Sequence, residues 1–310
     1  MKIIFMGTPD FSVGTMQALL DAGHEVVLAV TQPDKPKGRG HEVQFSPVKQ
    51  LAVKNNIPVF QPEKIRSEES IEYLKTIEAD IMVVVAFGQI LPKEVLEMTP
   101  YGAINVHASI LPKYRGAAPI QFAVLMGDEI SGVTIMQMDE GMDTGDILLQ
   151  EEIVLDKKET AGSLFEKLAK EGADLCVRVL PKIENGSIYP VPQPDSLASY
   201  TRMVKKTDGN IDWTDPAVQI RRLIFALNPW PSAYTRFRKK TLKIWDAEEV
   251  ESDMEEEPGT IIEVNKSDFV VQTGSQALKI LEVQLEGKKR MKAEDFMRGN
   301  HIETGEQFIF

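Results

Sequence analysis

The sequence is poor in the residues that build covalent or metal-centred chemistry. Cys176 is the only cysteine, which excludes an internal disulfide and a cysteine metal cluster. Its place in a helical pattern points to a small buried apolar role rather than to catalysis. Histidines number four, and His24, His41 and His301 have no ligand spacing, so no metal is expected. Long apolar runs are missing too. The longest, Ile81 to Phe87, falls far short of the roughly 20 residues that span a bilayer. The start of the chain lacks a basic-then-apolar leader. A cytoplasmic protein with no membrane partner is expected. No internal repeat or low-complexity tract is present. Gly7 and Gly14 do not form the close G-x-G-x-x-G fingerprint, and no acidic residue ends the strand predicted at Glu25–Val30, which argues against a dinucleotide site.

What is present suits a globular protein of two domains. The chain has 310 residues, 43% hydrophobic and 26% charged, and single cores stop growing at about 250–300 residues. A net charge of −12 weighs against a nucleic-acid partner. Its distribution matters, however. Residues 201–310 carry 17 Lys and Arg against 19 Asp and Glu, whereas residues 1–200 carry 18 against 28. The basic residues cluster at 202–206, 221–222, 236–243 and 288–292. On charge alone, a solvated surface and an RNA footprint remain equally open.

Along the chain, a short apolar strand at 2–6, a helical pattern at 11–22 and the strand at 25–30 form one βαβ unit. Further helices are expected at Ser46-Pro47 and 67–77, with strands at Val59, 81–86 and 103–107. Strands at 132–138 and 146–154 and a long helix at 161–183 follow. The fold class is therefore α/β, with a Rossmann-like, mostly parallel, doubly wound sheet. Tyr189-Pro190-Val191-Pro192-Gln193-Pro194 cannot be helical and reads as an extended linker. Beyond it, a helix at 217–226 and strands at 234–237, 241–244, 260–264, 269–272 and 277–283 suggest a small, OB-like β-barrel. The expected division is a catalytic domain over 1–188, a linker over 189–204 and a C-terminal β-barrel domain over 205–310.

The stretch NVHASILPKYRGAAPI, Asn105 to Ile120, starts at the C-terminal end of a central strand, where open α/β sheets hold ligands. Asn105 and His107 stand two apart and so share one face. An amide donor beside an imidazole suits a carbonyl carbon under attack, with both groups aimed at the oxygen that becomes negative. The plainer reading is an Asn ending a strand next to a satisfied surface His, because Asn-x-His alone is a weak motif. A second loop, MDEGMDTGD from Met138 to Asp146, has two glycines that permit a tight turn presenting Asp143. Its carboxylate could orient the imidazole and favour its charged form. Asp139, Glu140 and Asp146 read as turn or solvated acids. The loop from Gln32 to Phe45 holds Lys35, Lys37 and Arg39 among prolines and glycines that remove regular structure; a loop this long is either functional or a passive surface loop.

Asn105, His107 and Asp143, with SILPKYRGAAPI and GMDTGD, resemble the 10-formyltetrahydrofolate-dependent formyltransferase family. The loop PDKPKGRG (Pro33 to Gly40) and the segment NPWPSAY (Asn228 to Tyr234) resemble the branch of that family that formylates the methionine carried by an initiator tRNA. The resemblance covers almost the whole chain. It implies that Asn105 binds the formyl oxygen, His107 stabilises the oxyanion, and Asp143 positions His107 and assists proton transfer through water. It implies reduced-folate binding around Ser109, Ile110, Leu111 and Pro112, with Phe87, Gly88, Gln89, Ile90 and Leu91 and the loop residues Met138, Asp139 and Glu140. It implies tRNA contacts from Lys35, Lys37 and Arg39, joined by Arg202, Lys205 and Lys206 of the basic segment. Initiator methionyl-tRNA and 10-formyltetrahydrofolate are the expected partners, of a monomer without metal. Rival readings are a formyltransferase acting on an amino-sugar nucleotide or a purine precursor, a nicotinamide-dependent dehydrogenase, and a non-catalytic RNA-binding protein.

Overall fold

The computed structural model describes residues 1–37, 42–253 and 256–308. They form two compact units. One comprises Met1–Pro119, Ile130–Val154 and Phe165–Thr201, and the other Ile120–Glu129, Leu155–Leu164 and Arg202–Phe310.

In the first unit, β1 (Lys2–Gly7), α1 (Asp10–Asp21) and β2 (Glu25–Val30) form the expected βαβ unit. β3 (Lys35–Lys37) and β4 (Glu42–Gln44) pair antiparallel, so the basic loop carries a short hairpin where the prolines and glycines suggested no regular structure. Ser46 caps α2 (Pro47–Lys54) by accepting from the Lys49 N–H, and Ser67 caps α3 (Glu68–Lys75) by accepting from the Ser70 N–H. These caps begin both helices at serines, one of them before a proline that loses no hydrogen bond at this position. β5 (Val59–Phe60), β6 (Ile81–Val85), α4 (Lys93–Leu96), β7 (Ala103–His107) and the two-residue β8 (Arg115–Gly116) follow, and then α5 (Pro119–Met126), which belongs to the second unit from Ile120 on. β9 (Ile130–Gln137), β10 (Ile147–Val154), α6 (Ala161–Glu184) and β11 (Tyr200–Thr201) complete the series.

The main sheet runs β10-β9-β7-β6-β1-β2-β5. The pairings among β5, β2, β1, β6 and β7 are parallel, while β7–β9 and β9–β10 are antiparallel. Every residue of β6, IMVVV, is buried, as a parallel strand covered on both faces requires. Ile4, Met6, Leu28, Val30, Met82 and Val84 belong to one hydrophobic cluster of this sheet. Phe11 and Phe165 meet edge to face, centroids 5.3 Å apart. Cys176 is fully buried, and burial pushes its thiol up to about 12, in keeping with an inert packing role.

The Pro-rich segment is extended, as its prolines require, but it is not free. Val191 pairs with Ile147, and Tyr200–Thr201 pair in parallel with Arg115–Gly116.

The second unit carries α7 (Ala217–Ala226) and an antiparallel sheet of β12 (Ala233–Phe237), β13 (Lys240–Val250), β16 (Ala277–Leu285), β15 (Phe269–Gln272) and β14 (Ile261–Val264), in that order. β17 (Met291–Lys292) adds to β16, and α8 (Ala293–Gly299) follows it. Among the described residues no ladder joins β12 to β14. Register shifts between Ile244 and Ala247 on β13 supply the local bends that let such a sheet curl around its core. That core stacks Trp213 on Phe308 at 5.5 Å, and the indole N–H donates to the Thr235 hydroxyl.

Candidate active site

β7 sets the site. It lies between β6 and β9, with Asn105 opposite Met136 and His107 opposite Thr134. The period-two alternation of a strand puts both polar side chains on one face. The chain after β7 is held by Thr134, whose hydroxyl donates to the Ser109 carbonyl at 2.7 Å and accepts from the Leu111 N–H at 3.1 Å. Tyr114 and Gly116 then take left-handed conformations, φ +62° and +97°. A Cβ at Gly116 would stand 2.7 Å from the Thr201 carbonyl, so glycine is required there for space as well as for conformation.

The loop between β9 and β10 brings Asp143 to this face. Its Oδ2 accepts from the Gly116 N–H at 2.7 Å and stands 3.6 Å from His107 Nδ1. Its Oδ1 is 3.5 Å from Asn105 Nδ2. The three residues expected to act together are therefore assembled. On the other side of the ring, His107 Nε2 lies 3.0 Å from the Tyr114 carbonyl. A carbonyl only accepts, so Nε2 carries a hydrogen and any second proton sits at Nδ1, against Asp143. The side chains of His107 and Asp143 are 7% and 17% exposed, so their interaction is weakly screened while solvent still reaches the carboxylate. Asn105 gives up only a long, weak bond when its amide turns to a ligand.

The residues expected around folate divide by exposure. Phe87 and Leu91 are buried in the hydrophobic cluster, and Gln89 holds the Ile65 N–H and the Pro62 carbonyl. Gly88 and Ile90 are exposed, Ile90 at 78%. Ser109 spends its hydroxyl on the Lys113 carbonyl, and the Leu111 carbonyl accepts from Gln150; Ile110 and Pro112 are half-buried. Asp139 folds its own turn, accepting from the Gly141 N–H and the Thr144 hydroxyl, while Glu140 is exposed. Met138, Asp139 and Glu140 also border a surface cavity of about 560 Å³ with Lys93, Glu97 and Tyr101, and the three clustered residues do not line it.

Of the residues expected to meet tRNA, Lys35 and Lys37 lie on β3, and Arg39 falls outside the described residues. In the second unit Arg202, Lys205 and Lys206 are exposed, and Arg202 forms a bidentate pair with Asp208, Nη1 to Oδ2 at 2.6 Å. Sequence reasoning missed Arg115 and Gln193. Arg115 sits inside the quoted motif and carried a signal. Gln193 carried none beyond its prolines.

No helix among the described residues is long and apolar enough to cross a membrane, and no group of three or more His, Cys, Asp or Glu is placed to hold a metal ion.

A mostly parallel sheet holding Asn, His and Asp together on one face, in a chain that continues into a small antiparallel unit, marks a class. The sequence pattern of the formyl transferase family matches residues 1–180, and that of its C-terminal domain residues 203–301. The chain belongs to the formyl transferase family. Among its relatives are the methionyl-tRNA formyltransferases of Agathobacter rectalis, 57% identical over 99% of both chains, and Lachnospira eligens, 53% identical over 98% of both. In fold it resembles a sugar 3N-formyl transferase solved in the presence of dTDP and 5-N-formyl-THF, with a TM-score of 0.68 at 22% identity over 93% of this chain and 99% of that one.

Proposed function

We propose that this protein transfers the formyl group of 10-formyltetrahydrofolate to the α-amino group of methionyl-initiator-tRNA in the cytoplasm. The observation that carries the reading is the convergence of Asn105 and His107 on the Asp143 carboxylate, 3.5 Å and 3.6 Å from its two oxygens, in a chain aligned end to end with methionyl-tRNA formyltransferases. All three groups come from one chain, so a monomer suffices.

The amine nitrogen attacks the formyl carbon, and the carbonyl oxygen takes up negative charge. Asn105 Nδ2 is the directional donor for that oxygen. With its Nε2–H committed to Tyr114, His107 acts chiefly through the positive charge it carries once Nδ1 is protonated, and Asp143 supports that charge. As the C–N10 bond breaks, the proton lost by the amine passes through solvent at the Asp143 carboxylate to the leaving nitrogen. No covalent enzyme intermediate is needed. The exposed Gly88 and Ile90 and the rim at Met138–Glu140 offer a flat heterocycle apolar surface with acceptors at its edge. Within this reading residues 1–188 carry the chemistry and residues 205–310 the tRNA affinity, with Lys35, Lys37, Arg39, Arg202, Lys205 and Lys206 as phosphate or base contacts.

The test is single-turnover formylation of charged initiator tRNA, with non-initiator methionyl-tRNA and an amino-sugar nucleotide as competing acceptors. Preference for the sugar nucleotide would overturn the assignment.

A further inference from the structure

Gln193 lies among prolines in a segment whose sequence reads as a linker, yet its amide is engaged on both sides. Nε2 donates to the Asp143 carbonyl at 2.9 Å and to the Gly145 carbonyl at 2.7 Å, while Oε1 accepts from Arg115 Nε at 3.0 Å. The orientation is forced, because a guanidinium offers only donors and main-chain carbonyls only accept. Arg115 is a firm base for this contact. Its side chain is 1% exposed, and Nη1 donates to Asp195 Oδ1 and to the Tyr200 hydroxyl, each at 2.9 Å.

The loop that Gln193 grips needs an external tie. Asp143 holds φ at +54°, a left-handed conformation that is unfavourable for a residue with a Cβ. Gly145 packs so closely that a Cβ would fall on the Gln137 carbonyl. The bonds from Asp139 to Gly141 and Thr144 shape the turn from within but do not locate it over β7. Gln193 binds the main chain on either side of Thr144, and so locates the residue whose carboxylate faces His107 and Asn105.

We propose that Gln193 is a positioning residue for formyl transfer, holding the Asp143 carboxylate at its distance from His107 through the chain Arg115–Gln193–Asp143. The proposal rests on the formyl-transfer reading. Charge stabilisation of this kind depends steeply on placement, and a displacement of about 1 Å can cost on the order of 10²-fold in rate.

Two variants of the full chain test it. Gln193→Ala removes the tie. Gln193→Glu keeps the volume and the acceptor for Arg115 but sets a carboxylate oxygen against two carbonyls. Both variants should remain folded at the assay temperature, and folate affinity should fall by less than the rate of formyl transfer. Single-turnover formylation of methionyl-tRNA should fall by about 10-fold for Ala and about 10²-fold for Glu, the larger loss reflecting repulsion added to the missing bond. In an Asp143→Asn background, Gln193→Ala should cost less than about two-fold, because the carboxylate it positions is gone. A factor that multiplies in full in both backgrounds, or unchanged rates in both single variants, would overturn the proposal. If the parent chain formylates no methionyl-tRNA at all, it is the functional reading that falls.

Discussion

Replacing Asp143 with Asn tests the electrostatic core of the site with little change of shape. The Asn oxygen can still accept from the Gly116 N–H, now at 2.7 Å from the carboxylate, so the loop keeps its anchor. What disappears is a negative charge 3.6 Å from His107 Nδ1. At an effective dielectric constant of about 20, two unit charges at that separation attract by roughly 4–5 kcal/mol. Partial solvent access at Asp143 lowers the usable part to about 3–4 kcal/mol, which corresponds to roughly 10²–10³ in rate when the charge on the ring develops with the transition state. The Asn amide nitrogen also turns toward Asn105 Nδ2, donor against donor, and adds to the loss. The assay is single-turnover formylation of methionyl-tRNA at saturating folate, with folate affinity titrated separately. Affinity should change little. A rate within ten-fold of the parent protein, with the fold intact, would refute the idea that Asp143 supports charge on His107.

His107→Ala should lower the same single-turnover rate by about 10²–10³ while leaving folate binding intact, since the imidazole acts on charge present mainly in the transition state; an unchanged rate removes His107 from the chemistry. Arg39→Lys should fail nearly as badly as Arg39→Ala in formylation of initiator tRNA at fixed salt, because an ammonium lacks the guanidinium's planar fork and stacking face. A matching fall in folate affinity would instead assign that residue to the donor pocket. Lys49→Met probes the base of the β3–β4 hairpin, where the ammonium pairs with Asp34 and donates to Gln61 Oε1 at 2.7 Å. Burial alone would raise the Asp34 carboxyl, but hydrogen bonds from Lys49 and Gln61 outweigh it and hold the group below its ordinary value. A depressed carboxyl contributes stability above its unfolded value and loses it as pH falls through the folded one. Lys49→Met should therefore cost about 1–3 kcal/mol in denaturant melts at pH 7 and progressively less below about pH 4. An equal cost at pH 7 and pH 3 would mean that Lys49 stabilises only by packing, for instance over the Phe45 ring.

Much of this molecule is written in local pattern. The apolar runs that became β1, β6 and β7, the serines that cap α2 and α3, and the helix Ala217–Ala226 follow from side-chain periodicity and from which residues satisfy helix ends. Asn105 and His107 share a face for the same local reason, two residues apart on one strand. Tertiary structure decided what those elements meet. Asp143 is 38 residues from Asn105, and it arrives only because β9 pairs antiparallel with β7, β10 returns antiparallel to β9, and the loop between them turns left-handed at Asp143. Gln193 is 50 residues further along, and its prolines dictate an extended chain without saying what that chain docks on. Periodicity and propensity act over a few residues and can be read one residue at a time. The position of a carboxylate against an imidazole is a sum of distant hydrogen bonds, each dependent on the others, and exists only once the chain has closed on itself.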